Sequence, residues 1–201
     1  MNEMIIATKN PGKAKEFKTF FARYRINAVS LPELPREMDD IEETGTTFAE
    51  NAALKAEQIA ELLGKPVLAD DSGLVIDALS GRPGIFSARY AGEPKDDMKN
   101  IHKVLRELQG VGAPERTARF VCVLAVAIPG EPTVFKKGYC EGKIAAEQAG
   151  SNGFGYDPIF IPDRYTKTMA ELSHEEKNRI SHRRHAIDQL EDWVRQYAVS
   201  N

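Results

Sequence analysis

Apolar residues recur along this chain in two alternating rhythms. A short unbroken run at 5–8 predicts a buried strand, and Ala14, Phe17, Phe20 or Phe21 and Tyr24 then recur at helical spacing over 13–24. A second strand is expected at about 26–30, before "LPELPREMDDIEETG", whose prolines and acids predict an exposed loop. Thr47 and Glu50 have capping-box spacing and open a helix with Phe48, Ala52, Ala56, Ile59 and Leu63 on one side. Gly64 ends it and Pro66 bars its continuation. The apolar "PVLA" predicts a buried strand ending at Asp70-Asp71, with a turn at Ser72-Gly73. A third helix is expected at 96–108. The stretches 117–128 and 133–144, joined by "PGEP", read as an antiparallel hairpin. A second capping box, Ser173 with Glu176, opens a helical segment running to about 197. Strands and helices in this order predict one α/β domain over 1–201, a mixed sheet with flanking helices, rather than a doubly wound sheet or a sandwich.

Composition narrows the class. With 201 residues, 42% hydrophobic and 28% charged, the chain can bury a substantial core. Its formal net charge is −3 and its 27 lysines and arginines are spread along the sequence, which argues against nucleic acid as the main partner. Cys122 and Cys140 have no metal-ligand or CxxC spacing and read as buried reduced thiols. "MNEM" lacks the cationic and apolar regions of a signal peptide, and no apolar run has membrane-spanning length. A cytoplasmic protein with no membrane partner is expected.

The candidate chemistry begins at "MIIATKNPGKAKEF", where a strand delivers the chain to a turn and then to a helix. Backbone N–H groups at a helix start and a nearby lysine favour an anion such as phosphate. The usual phosphate loop is excluded, because Gly12-Lys13 is followed by Ala14 and has no partner glycine upstream. Asp70 and Asp71 are adjacent on extended backbone, so only one faces a ligand squarely and the other braces the turn. Glu43 and Glu50 lie in "EETGTTFAEN"; capping accounts for Glu50, whereas Glu43 has no evident local duty. One carboxylate from a strand and one from a loop suit a magnesium ion held otherwise by water and phosphate. Lys13, Lys55, Lys177, His182, Arg183 and Arg184 supply cations. If Lys177 and Arg183 serve one ligand, the helix must break near 178–181, with Ser181 able to cap the restart. Phe154 and Tyr156 in "GFGYDP" offer rings that either stack on a base or pin the loop to the core.

Together these segments resemble the inosine triphosphate pyrophosphatase family, over nearly the whole chain and in the expected order. The resemblance is carried by "ATKNPGK", "EETGTTFAENAALKA", "ADDSGL" with "PGIFSARYAG", "GFGYDPIF" and "ELSHEEKNRISHR". It implies an elongated central sheet, two lobes around a substrate cleft, and a homodimer. It also implies Mg²⁺-dependent hydrolysis of ITP, dITP and XTP to monophosphate and pyrophosphate, with similarly folded Maf-type pyrophosphatases as the alternative. Carried over, the substrate-binding segment is Thr8, Lys9, Asn10, Pro11, Gly12 and Lys13. Glu43 and Asp71 would hold the metal, with Asp71 also the proton acceptor and Lys13 and Glu43 beside it in catalysis. Asn51 and Lys55 would support them, and Ser72 would contact substrate. Phe154, Gly155, Tyr156, Asp157, Lys177, His182 and Arg183 would line the nucleoside end.

Overall fold

A computed structural model describes residues 3–35, 38–39 and 41–200, the last three by backbone alone. The part of the acidic loop at 36, 37 and 40 lies outside the described residues. In chain order the elements are β1 (Glu3–Ile6), α1 (Pro11–Ala22), β2 (Asn27–Ser30), α2 (Phe48–Leu63), β3 (Val67–Ile76) and α3 (Asp97–Glu107). β4 (Thr117–Ala127), β5 (Val134–Ile144), β6 (Phe160–Pro162), α4 (His174–Ile180) and α5 (His182–Ser200) follow. The strands form one sheet in the order β2-β1-β3-β4-β5-β6. β1 runs parallel to β2 and to β3, whereas β5 and β6 are antiparallel. The sheet is therefore mixed, as the sequence pattern implies.

Two compact units share the chain. The first comprises residues 1–71, 122–138 and 186–201; the second comprises 72–121 and 139–185. Each has its own core. In the first, Met4, Ile6 and Leu68 meet Phe17, Phe20 and Phe21 of α1 and Ile187, Leu190 and Val194 of α5. In the second, Leu74 and Ile76 meet Ile101, Val104 and Leu108 of α3, together with Phe120, Ile144, Ile159 and Phe160. Cys122 and Cys140 are both buried and unbridged, and burial pushes the Cys140 thiol up to about 12. Among the described residues no helix is long and apolar enough to cross a membrane.

Two departures from the sequence reading bear on the site. β3 does not end at the aspartates but continues through Ser72 and Gly73 to Ile76. The reason is burial: Leu74 and Ile76 are fully buried and extend the alternation that Leu68 and Asp70 begin. Neither aspartate braces a turn. The C-terminal helical segment is also two helices, because Ser181 is extended (φ −69°, ψ 145°) and its hydroxyl accepts the Arg184 N–H at 3.1 Å. That is the break that a joint role for Lys177 and Arg183 requires.

Candidate active site

In the first unit, the loop from β1 to α1 is tied by its own side chains. Thr8 Oγ1 accepts the Asn10 N–H at 3.1 Å, and Asn10 Oδ1 caps α1 by accepting from Gly12 and Lys13 at 2.9 and 3.1 Å. The helix N–H groups expected to face an anion are thus partly engaged by Asn10. What this geometry leaves to give is the Thr8 hydroxyl proton and the Asn10 amide hydrogens. Thr8, Lys9, Asn10 and Pro11 line a groove of about 360 Å³ that continues along α1 to Lys18 and the Ser30–Glu33 corner.

Lys13 stands in the first turn of α1, where the helix dipole disfavours a cation. Asp70 offsets that placement: Lys13 Nζ donates to Asp70 Oδ2 at 2.7 Å. Asp71, one residue further along the strand, points the opposite way and meets α2. Asn51, buried in α2, donates to its carboxylate while Asn51 Oδ1 accepts the Gly45 N–H at 2.8 Å. This close approach demands glycine, since a Cβ at Gly45 would stand 2.6 Å from Asn51 Oδ1. Lys55, one turn on, donates to Glu43 Oε1 at 2.8 Å and to the Asp70 carbonyl at 2.7 Å. Glu43 therefore has the structural partner that its sequence context does not reveal.

The electrostatics of this cluster are sharply divided. Burial pushes the Asp71 carboxyl up to about 6, with Glu43 and Asp70 adding to the rise and Lys55 and Asn51 opposing it. For Lys55, burial works against the charge but is outweighed by Asp70, Asp71 and Glu43, so its ammonium stays above the usual lysine range. No group of three or more His, Cys, Asp or Glu side chains is poised to enclose a metal among the described residues. The carboxylates that could hold a Mg²⁺ ion are Glu43 and Asp71, with waters and phosphate oxygens as its other ligands. The repulsion that Glu43 and Asp70 each exert on Asp71 is what a dication beside it would relieve.

In the second unit, the loop carrying Phe154 is held by Asp157, whose Oδ2 accepts the Phe154 N–H at 2.8 Å and pairs with Lys177. The Lys177 ammonium lies 4.7 Å from the centre of the Phe154 ring. Gly153, at φ +82°, cannot be replaced, because a Cβ there would fall 2.0 Å from Asp157 Oδ2. The two aromatic residues divide the roles left open by the sequence. Phe154 is 57% exposed, whereas Tyr156 is 5% exposed and donates its hydroxyl to the Ser87 carbonyl at 2.8 Å. Tyr156 pins the loop, and Phe154 is presented.

His182 stacks on Phe120 with ring centres 5.0 Å apart, and Arg183 beside it is buried. Ser72 follows Asp71 directly in β3 and is half-buried. Sequence reasoning missed Asp70 as the partner of Lys13 and Asn10 as the α1 cap. An Asn immediately before a Pro at the first helical position is the signal that could have found the second.

A family model described as the Ham1 family matches residues 4–193. A dITP/XTP pyrophosphatase of Oceanobacillus iheyensis is 64% identical over 194 residues, covering 96% of this chain and 98% of that protein. One from Bacillus subtilis is 57% identical over 190 residues, 94% of this chain and 96% of that protein. Among solved structures, the Staphylococcus aureus Ham1 protein superposes with a TM-score of 0.90 at 48% identity, covering 97% of this chain and 99% of that one. A HAM1 protein from Coxiella burnetii gives 0.91 at 42% identity, with 98% and 100% covered.

Proposed function

This chain belongs to the Ham1 family, and on that footing we propose that it hydrolyses purine nucleoside triphosphates carrying hypoxanthine or xanthine. ITP, dITP and XTP would be cut to the monophosphate and pyrophosphate and so removed from the nucleotide pool, with residues 1–201 acting as one catalytic domain. The observation that carries the reading is the paired arrangement around β3: Lys13 on the Asp70 carboxylate, and Lys55 between Glu43 and the Asp70 carbonyl.

The chemistry follows from these side chains. Water attacks the α-phosphorus, the new P–O bond forms, and the bond to the β-phosphate oxygen breaks. Asp71 takes the water proton, burial having raised the basicity of its carboxylate. Lys13 and Lys55 stabilise charge on the departing pyrophosphate, and the Thr8 and Asn10 donors fix the phosphates, with Lys9, Pro11 and Gly12 shaping that segment. Mg²⁺, held by Glu43 and Asp71, would add charge neutralisation at the phosphate oxygens.

Base recognition is assigned to the second unit. Phe154 supplies a stacking face, Lys177, His182 and Arg183 supply donors for a purine 6-carbonyl, and Ser72, Gly155 and Asp157 complete the binding set. Adenine presents an amino group at position 6, and each buried donor it leaves unpaired costs about 1–3 kcal/mol. The family resemblance also supports a cytoplasmic homodimer that binds neither nucleic acid nor membrane.

The test is pyrophosphate release with Mg²⁺ from ITP, XTP, dITP, GTP and ATP at equal concentration. Fast release from the first three and slow release from the last two is expected. Equal rates would discard the substrate assignment, and GTP is included because guanine shares the 6-carbonyl and differs at position 2. Sedimentation at micromolar concentration tests the dimer, since a mass of 22.3 kDa would exclude it.

A further inference from the structure

Phe154 is presented by backbone rather than by packing. Its ring is largely exposed, and it sits between Gly153 at φ +82° and Gly155 at φ +58°. Two flanking glycines give such a segment wide conformational freedom. A ring offered to solvent has little packing to remove that freedom, so hydrogen bonds to the backbone must fix it. Two consecutive N–H groups are taken by carboxylates: Phe154 N–H by Asp157 Oδ2, and Gly155 N–H by Asp97 Oδ2, each at 2.8 Å.

Asp157 is local, three residues from Phe154. Asp97 is not: it comes from the first turn of α3, 58 residues earlier. One helical turn further along, Asn100 is buried and holds a different loop. Its amide donates to the Ala88 carbonyl at 3.1 Å and to the Ser87 carbonyl at 3.4 Å, and its oxygen accepts the Ala91 N–H at 2.7 Å. The Ser87 carbonyl is also the acceptor for the Tyr156 hydroxyl. The start of α3 thus grips both loops, 87–91 through Asn100 and 154–156 through Asp97, and Tyr156 closes the link between them.

We propose that Asp97 is a positioning residue for purine recognition: its carboxylate, by accepting the Gly155 N–H, fixes the backbone that presents the Phe154 ring, without itself touching substrate. The inference rests on the base-recognition reading above. A charge-assisted hydrogen bond to a backbone N–H is strong enough that its loss loosens the ring by roughly tenfold in occupancy.

Two measurements on Asp97→Ala and Asp97→Asn test this. Amide hydrogen exchange over 150–158, in nucleotide-free protein, should be faster in Asp97→Ala and close to the parent in Asp97→Asn, whose side-chain oxygen still accepts the bond. Steady-state pyrophosphate release should show KM for ITP raised about tenfold in Asp97→Ala, kcat within about twofold, and a narrowed preference for ITP over ATP, all largely rescued in Asp97→Asn. Unchanged exchange, or a fall in kcat with KM unmoved, would overturn the proposal while the parent enzyme still cleaves ITP. A parent enzyme inactive on ITP would overturn the functional reading itself and the recognition role with it, and the exchange data would then report only a structural tie.

Discussion

Lys13 Nζ and Asp70 Oδ2 lie 2.7 Å apart, with the Asp70 side chain 2% exposed and that of Lys13 21% exposed. One partner is sealed in the sheet and the other can still reach an incoming anion. This asymmetry separates two roles. The pair steadies the buried aspartate, and Asp70 keeps the lysine aimed before substrate arrives.

Removing the lysine should therefore cost both stability and activity. Lys13→Met leaves Asp70 buried without its cation, a loss of about 1–3 kcal/mol given the partial solvent access of the pair. The double variant Lys13→Met/Asp70→Asn should regain most of that stability in urea melts. It should not regain activity: kcat/KM for ITP stays down by roughly 10²-fold, since the cation proposed to face the phosphates is gone. Recovered turnover in the double variant would remove Lys13 from the mechanism.

Asp71 makes an opposite prediction about stability. Its carboxyl sits near 6, against an ordinary value of 3.8. Between about pH 4 and 6 the folded chain therefore holds a proton that the unfolded chain has lost, and stability falls as pH rises through that window. The cost above pH 6 is at most about 3 kcal/mol. Asp71→Asn escapes it, so without metal the variant should melt a few degrees higher than the parent at pH 8 and show a flatter pH profile. It should also release no pyrophosphate. Lower stability at pH 8 than the parent would contradict the assignment of a strained buried carboxylate.

The neighbours of Asp71 should move its titration in opposite directions. Glu43 raises the Asp71 pKa and Lys55 lowers it. In metal-free protein, Glu43→Gln should bring the Asp71 midpoint down and Lys55→Gln should push it up, as followed by carboxyl carbon NMR. Both should impair catalysis for different reasons. On the metal role proposed for Glu43 and Asp71, Glu43→Gln should raise the Mg²⁺ concentration needed for half-maximal rate by more than about tenfold. Lys55→Gln should lower kcat/KM for ITP, because the second cation proposed to face the departing pyrophosphate is gone. Shifts of the same sign in both variants would break the cluster as described.

How much of this was legible in the sequence depends on whether the signal is local. The capping boxes Thr47 with Glu50 and Ser173 with Glu176 lie three residues apart, and both form as read. The opposite facing of Asp70 and Asp71 follows from strand geometry alone. The partners were not legible, because Lys13 meets Asp70 across 57 positions and Gly155 meets Asp97 across 58. The run through Ser72 and Gly73 was misread for a related reason. Turn-forming residues act locally, but burial of Leu74 and Ile76 against α3 keeps the strand extended. β6 escaped notice because three residues carry too little alternation to register.

The last prediction separates the two aromatic residues of one loop. Phe154 exposes most of its ring, so Phe154→Ala should leave stability within about 0.5 kcal/mol of the parent. It should raise KM for ITP about tenfold or more, since a stacked base is worth about 1–3 kcal/mol. Tyr156→Phe should do the reverse. The buried hydroxyl's 2.8 Å bond to the Ser87 carbonyl is lost, so stability should drop by about 1 kcal/mol. KM should change little, because the ring still fills its place in the core and the Phe154 backbone keeps its bond to Asp157. Denaturant melts and ITP kinetics on the two variants decide the matter. A large KM effect from Tyr156→Phe with none from Phe154→Ala would show that the buried ring, not the presented one, governs base recognition.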